Sequence, residues 1–354
     1  MKKETTGQLQ EDAENQKIIN TIADIIYRND NILITTHIRA DPDGISSELA
    51  LFYLLISMKK NVTIINDSPF PDSLNFLIGK NKPAVNDITP EFIKNSIFDA
   101  SKYQPKSVPD FEVVIALDTP NFARLGKAYE MVPKDTTVIN IDHHISNEYF
   151  GDINWVRSHA CSTGEMIYDF FKETGQEITP AIATSLYTSI ITDTGRFVHA
   201  NTTPKCLRIA SDLIELGANP SEIAKHLYQT VSFSELKLQA LTINSIKLEA
   251  EGKISVLWLT KNMINEAGAA KDIDTQIFTD TPLSIENVEV GVMLKEFNNN
   301  NEIKVSLRSK NDIDVNEIAK TFGGGGHIKA SGCEIKGSIE DVHKTIVDEI
   351  LKRF

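Results

Sequence analysis

The chain has 354 residues, enough for two domains of ordinary size, and its apolar fraction of 41% suits a globular protein with a sizeable core. Its formal charge of −13 disfavours a surface that grips long nucleic acid through phosphates, although a small anionic ligand held by metals and a local cationic pocket is compatible with it. Cys161, Cys206 and Cys333 lie far apart without metal-ligand spacing, so a reducing compartment and no disulfide framework are expected. Residues 1–12 lack the apolar run of a signal peptide, and no apolar stretch is long enough to span a membrane. The expected location is the cytoplasm, with no membrane partner.

Residues 1–16 read as a polar, frayed lead-in, after which Ile18, Ile19, Ile22, Ile25 and Ile26 recur at helical spacing. Residues 31–36 read as a strand, 46–58 as a buried helix and 62–65 as a second strand. Residues 80–110 are mixed and proline-containing, and are expected to be helix and loop. Strands follow at 111–117 and 137–141. Strands alternating with helical segments predict an α/β fold with a mostly parallel sheet and helices on both faces. Ligands bind such sheets beyond the carboxyl ends of the strands. A helix over 180–192 ends at Asp193, and 205–242 is mainly helical. The composition then changes. Residues 253–259, 288–294 and 303–308 are strand-like, the last two flanking Asn298 to Asn301 as a hairpin turn. Ile339, Val342, Ile346 and Ile350 mark the apolar stripe of a final helix. The expected organisation is an α/β domain over 1–205, a helical connector over 206–234 and a smaller α+β domain over 235–354.

Four apolar segments end in potential metal ligands. Ile32-Leu33-Ile34 leads to His37, Asp41 and Asp43; residues 111–117 lead to Asp118; residues 138–141 lead to Asp142-His143-His144; and Ile190-Ile191-Thr192 leads to Asp193. Each has an ordinary structural explanation when taken singly. Asp41 and Asp43 suit a helix N-terminus, Asp118 before Thr119-Pro120 suits a turn, and Asp193-Thr194-Gly195 suits a helix stop. Together they point to one shared site, because unpaired carboxylates at the ends of buried segments call for a cation. His37, Asp41, Asp43, Asp118, His143 and Asp193 supply two imidazoles and four carboxylates. That set suits two divalent ions about 3.5–4 Å apart, a device for hydrolysing phosphate esters. Mixed imidazole and carboxylate ligands favour Mn2+ over Mg2+.

These motifs resemble the DHH phosphoesterase superfamily, named for the triplet present here as Asp142-His143-His144. His37-x3-Asp41-x-Asp43 resembles its first motif, Ala116-Leu117-Asp118-Thr119 its second and Thr192-Asp193-Thr194-Gly195-Arg196-Phe197 its fourth. The resemblance implies metal binding by His37, Asp41, Asp43, Asp118, His143 and Asp193, with Asp118 bridging. It assigns His144 to the substrate phosphate or leaving group. Asp142 is then expected to orient an imidazole, a role that metal sites commonly require.

Phe322-Gly323-Gly324-Gly325-Gly326-His327 is the other signal. A glycine run can be a plain linker, but its free N–H groups can also approach an anion closely. It resembles the GGGH motif of the DHHA1 domain, which implies that Gly325, Gly326 and His327 contact substrate. Lys304, Ser306 and Arg308 alternate with Val305 and Leu307, so Arg308 lies on a polar strand face and could clamp a phosphate. The pairing of the two domains resembles bacterial enzymes that are both oligoribonuclease and 3′-phosphoadenosine 5′-phosphate (PAP) phosphatase. The implied partners are short oligoribonucleotides or dinucleotides, with no long duplex, and a homodimer is an open expectation. The neighbouring readings are a cyclic di-AMP phosphodiesterase and, in another class, a non-catalytic nucleotide sensor. A sensor predicts lost metal ligands, and none is missing.

Overall fold

Six apolar segments of the amino-terminal half form one parallel sheet in the computed structural model, which describes residues 2–79, 89–100, 110–132, 136–229, 232–269, 278–297 and 301–354. The chain divides into two units, Met1–Thr230 and Val231–Phe354. The first unit holds β1 (Asn31–Thr35), β2 (Asn61–Asn66), β3 (Ile97–Asp99), β4 (Val113–Leu117), β5 (Thr137–Asp142) and β6 (Ile153–Val156). Their order is β3-β2-β1-β4-β5-β6. Ile34 lies beside Ile64 on one side and Ile115 on the other, and Ile115 lies beside Ile139. Ile34 and Ile115 face one core, Leu33 and Val114 the other, and all four are fully buried. Burial on both faces explains why these strands read as continuous apolar runs.

Helices α1 (Lys2–Arg28), α2 (Pro42–Ser57), α5 (Thr163–Glu173) and α6 (Pro180–Asp193) contribute to one core, and the 3-10 segment Phe122–Met131 contributes to the other. Short helix α3 (Phe76–Gly79) precedes the mixed segment 80–110, whose described part holds helix α4 (Pro90–Asn95) and, where only helix and loop were expected, strand β3, which pairs with β2; residues 80–88 and 101–109 lie outside the described residues. Helix α1 reaches back to Lys2, well into the expected lead-in. A nucleated, packed helix extends readily through Lys, Glu and Gln, because propagation fixes one residue per hydrogen bond.

The segment read as a connector behaves differently. Helices α7 (Pro204–Glu215) and α8 (Pro220–Tyr228) belong to the first unit. Cys206, Ile209, Ala210, Leu213 and Ile223 are buried in its main core, so this stretch is packed structure rather than a link.

The second unit contains β7 (Lys247–Glu249), β8 (Ile254–Leu259), β9 (Val290–Phe297), β10 (Glu302–Ser309), β11 (Gly325–His327) and β12 (Ala330–Lys336), in the order β11-β12-β10-β9-β8-β7. Among the described residues only β8 and β9 run parallel in this sheet. Around them lie α9 (Phe233–Asn244), α10 (Lys261–Ala267), α11 (Val315–Lys320) and α12 (Ile339–Leu351). Ile339, Val342, Ile346 and Ile350 of α12 meet Val292 and Val305 in one core, as the apolar stripe predicts. Strands β9 and β10 pair antiparallel; the turn expected between them falls on Asn298 to Asn300, outside the described residues. Among the described residues no helix is long and apolar enough to cross a membrane.

Candidate functional site

Strand β1 has β2 on one side and β4 on the other, so its two neighbours are reached by connections in opposite directions. A parallel sheet opens a crevice at such a point, beyond the carboxyl ends of the strands. His37 follows β1, Asp118 follows β4 immediately, Asp142 ends β5, and His143 and His144 come next. Asp41 caps α2 by accepting from the Gly44 N–H at 3.1 Å, Asp43 lies in the first turn of that helix, and Asp193 is the last residue of α6.

The side chains converge. Donor atoms of His37, Asp41 and Asp118 lie within 4.8 Å of one another, as do those of Asp43, His143 and Asp193, and those of Asp118, His143 and His144. Asp118 ties the groups together: Oδ2 is 3.5 Å from His37 Nε2, and Oδ1 is 3.4 Å from His143 Nε2. Its backbone is left-handed at φ +52°, a conformation Asp tolerates better than most residues, and its N–H donates to the Ile141 carbonyl.

Each donor is held by the surrounding fold. His143 Nδ1 donates to the Ala160 carbonyl at 3.3 Å, which leaves Nε2 facing Asp43, Asp118 and Asp193. His37 Nδ1 donates to the Ile38 carbonyl at 2.9 Å, so its Nε2 likewise faces the cluster. Asp43 accepts from the backbone N–H groups of Thr163 and Gly164 at the start of α5, at 2.9 and 3.3 Å, and from the Ser189 hydroxyl. The N-terminal end of a helix favours an anion there. Asp142, fully buried, accepts from His144 Nδ1 at 2.7 Å and from Asn147 Nδ2 at 2.6 Å. The imidazole that Asp142 orients is therefore that of His144.

The electrostatics call for positive charge. Burial pushes the Asp43 carboxyl well above the usual range, and the charges of Asp118 and Asp193 add to this. Burial, with the nearby Asp118 charge, likewise raises Asp193 to about 6, partly offset by His143. Asp118 is also penalised by burial, but hydrogen bonds from His143 and His37 outweigh that and hold it far below the usual range. Burial opposes charge on His37 and His143, yet their carboxylate neighbours lift both to about 10. The cluster thus draws protons onto its imidazoles to balance its acids. Four carboxylates match the charge of two divalent cations, and Asp118 presents Oδ2 to His37 and Oδ1 to His143. The residues present therefore fit a pair of divalent ions.

In the second unit the glycine run is neither a linker nor a loose loop. Gly325 to His327 form edge strand β11, paired with Gly332, Ser331 and Ala330 of β12. Ala330 in turn lies opposite Arg308 of β10. His327, Ala330 and Arg308 thus form one cross-strand row on one face, with the small Ala330 as its floor. Neighbouring strands lie about 4.8 Å apart, so roughly 10 Å separates the flanking strands. Arg308 alternates with buried Val305 and Leu307 as its strand period predicts, and its Nε donates to Asp280 Oδ1 at 3.0 Å. The glycine requirement falls on Gly326 rather than Gly325. Gly326 has φ +150°, and a Cβ there would meet the Ala330 carbonyl at 2.6 Å, whereas at Gly325 the nearest atom would be Asn316 Oδ1 at 3.8 Å.

Comparison with known proteins bears on both regions. The model of the DHH family, N-terminal domain, matches residues 31–190, and that of the DHHA1 domain matches residues 259–354. The bifunctional oligoribonuclease and PAP phosphatase NrnA of Thermus thermophilus is 30% identical over 90% of this chain and 89% of its own length. Its Bacillus subtilis counterpart is 29% identical over 90% of this chain and 92% of its own. The chain belongs to the DHH–DHHA1 phosphoesterase family, in its NrnA-like branch. The crystal structure of an exopolyphosphatase-related protein from Bacteroides fragilis superposes with a TM-score of 0.84 at 29% identity, covering 95% of this chain and 96% of that one.

The DHH domain also uses groups that its motifs do not announce. Glu48, buried in α2, accepts from Asn66 Nδ2 at 2.8 Å, and Asn66 Oδ1 accepts from the Thr36 N–H at 3.0 Å, next to His37. Burial raises the Glu48 carboxyl to about 8, against the Asn66 hydrogen bond. One acid within the apolar stretch 45–55 was the available signal. Ser162-Thr163-Gly164, which anchors Asp43 at the start of α5, carried the signature of a helix N-cap.

Proposed function

We propose that this DHH–DHHA1 protein is a cytoplasmic, Mn2+-dependent enzyme that hydrolyses very short oligoribonucleotides to mononucleotides and removes the 3′-phosphate of PAP. The observation that carries this reading is a cluster of three overlapping donor groups, two of them sharing Asp118 and two sharing His143, at the switch point of a parallel sheet. The NrnA proteins named above support the substrate class, and the acidic chain is suited to a short substrate.

His37, Asp41 and Asp118 would hold one ion, and Asp43, His143, Asp193 and Asp118 would hold the other. When bound, two such ions supply charge that neutralises a phosphate and makes water acidic enough to furnish hydroxide near neutral pH. The mixed donors favour Mn2+. His144 stands half-exposed at the rim with Nδ1–H given to Asp142, which leaves Nε2 for substrate. Burial disfavours its charge, but the hydrogen bond to Asp142 and the charge of Asp118 raise its pKa, so it carries a proton that Nε2–H can give to the departing oxygen as the P–O bond breaks. In the DHHA1 domain, the row of His327, Ala330 and Arg308 with the backbone of Gly325 and Gly326 forms a shelf for a nucleotide phosphate and its base.

Substrate competition tests this reading. With Mn2+ present, kcat/KM is measured for pApA, a five-nucleotide RNA, PAP, cyclic di-AMP and pyrophosphate. The two short RNAs and PAP are expected to lead. A preference for pyrophosphate or for cyclic di-AMP would displace this assignment in favour of another member of the superfamily.

A further inference from the structure

We propose that Arg124, together with Arg39, binds a second, non-scissile phosphate of the substrate, giving the DHH domain its own grip on a phosphorylated end. The inference rests on the phosphodiesterase reading above. Arg124 Nη2 lies 3.3 Å from His37 Nδ1. That nitrogen's proton is already given to the Ile38 carbonyl, so it offers the guanidinium no lone pair. The opposite nitrogen of the same ring, Nε2, faces Asp41 and Asp118 at 3.5 Å. The imidazole therefore stands between Arg124 and the carboxylate cluster. A phosphate reached by Arg124 is not the one held at the cluster but a neighbouring one.

The position is fixed by several contacts. The Ile38 N–H donates to the Arg124 carbonyl at 2.6 Å, and Asn121 Oδ1 accepts from the Arg124 N–H at 3.2 Å. Gly126, at φ +57°, lets this segment press against the His37 loop: a Cβ there would meet Ile38 Cγ2 at 2.4 Å and Asp67 Oδ1 at 2.5 Å. The Lys127 N–H donates to that same Asp67 oxygen at 2.8 Å. Arg39 lies between His37 and Asp41, exposed, on left-handed backbone at φ +56°, with its N–H donating to Ser68 Oγ. Strained non-glycine backbone of this kind clusters at functional sites. Among the described residues neither guanidinium has a carboxylate partner, in a chain whose acids outnumber its lysines and arginines 49 to 36. Two exposed, unpaired arginines flanking one ligand loop suit an anion, and the planar fork of arginine matches phosphate oxygens.

Three dinucleotides test the inference. ApA, pApA and ApAp share one scissile diester and differ in which end carries an additional phosphate. In the wild type, one added phosphate raises kcat/KM. In Arg124→Ala and Arg39→Ala that gain is expected to shrink by about ten- to a hundredfold, the scale of a lost charge-assisted hydrogen bond, with Arg124→Lys keeping part of it. Bound metal, measured by elemental analysis, is expected to equal that of the wild type. The inference is overturned if the gains from both terminal phosphates survive in the variants, if all three substrates lose rate equally, or if the wild type is indifferent to both phosphates. A wild type that cleaves none of the three overturns the phosphodiesterase reading itself, a result distinct from those.

Discussion

Asp118→Asn is expected to lower kcat/KM on pApA by about a thousandfold or more, equivalent to about 4 kcal/mol of lost transition-state stabilisation. Asparagine is the informative replacement. Asp118 sits at φ +52°, which Asn accepts and Ala resists, so the backbone turn at the end of β4 survives. The volume is kept, and the Thr163 hydroxyl, which donates to Asp118 Oδ1 at 3.1 Å, can still find the amide oxygen. What disappears is the one charge that faces both His37 and His143. Bound metal is expected to fall as well, and far-ultraviolet circular dichroism to stay that of the wild type. A folded Asp118→Asn protein with near-normal Mn2+-dependent turnover would remove the shared carboxylate from the mechanism.

His144→Gln is expected to lower kcat by about a hundredfold while leaving bound metal unchanged, because its Nδ1 is committed to Asp142 rather than to the cluster. The pH profile separates a proton donor from a mere contact. A donor works in its protonated form, and the pKa of His144 is raised, so activity is retained to higher pH than an ordinary imidazole would allow and is lost as pH climbs through that raised value. Asp142→Asn removes the partner that holds the proton, so the same alkaline limb should move to lower pH. An alkaline limb that stays in place in Asp142→Asn would show that another group sets it.

The acidic motifs were legible in the sequence because a cation site dictates residue type, and a parallel sheet dictates where those residues fall. Buried strands such as β1 and β4 left apolar runs with a ligand at the end of each, and α2 announced itself through dense apolar residues from Ile45 to Leu55. Residues whose role comes from a neighbour distant in sequence were not legible. Thr163 and Gly164 hold Asp43 from 120 positions away, and Arg124 meets His37 across 87. The glycine run misled in a more local way. Composition alone allows a loop, whereas pairing with β12 makes Gly325 to His327 an edge strand in which Gly326, at positive φ, leaves less room for a side chain than Gly325. Helices α7 and α8 looked like a connector because they lie between the parallel-sheet segments and the change of composition near residue 250; their buried faces join the main core of the first unit.

Two cations are expected to share Asp118. Metal-stripped protein titrated with Mn2+, with bound metal and pApA hydrolysis followed together, tests it most directly. The expected result is no turnover from the stripped protein and full activity only as about two ions bind per chain. Full activity at one bound ion, or turnover that persists after exhaustive chelation, would contradict it.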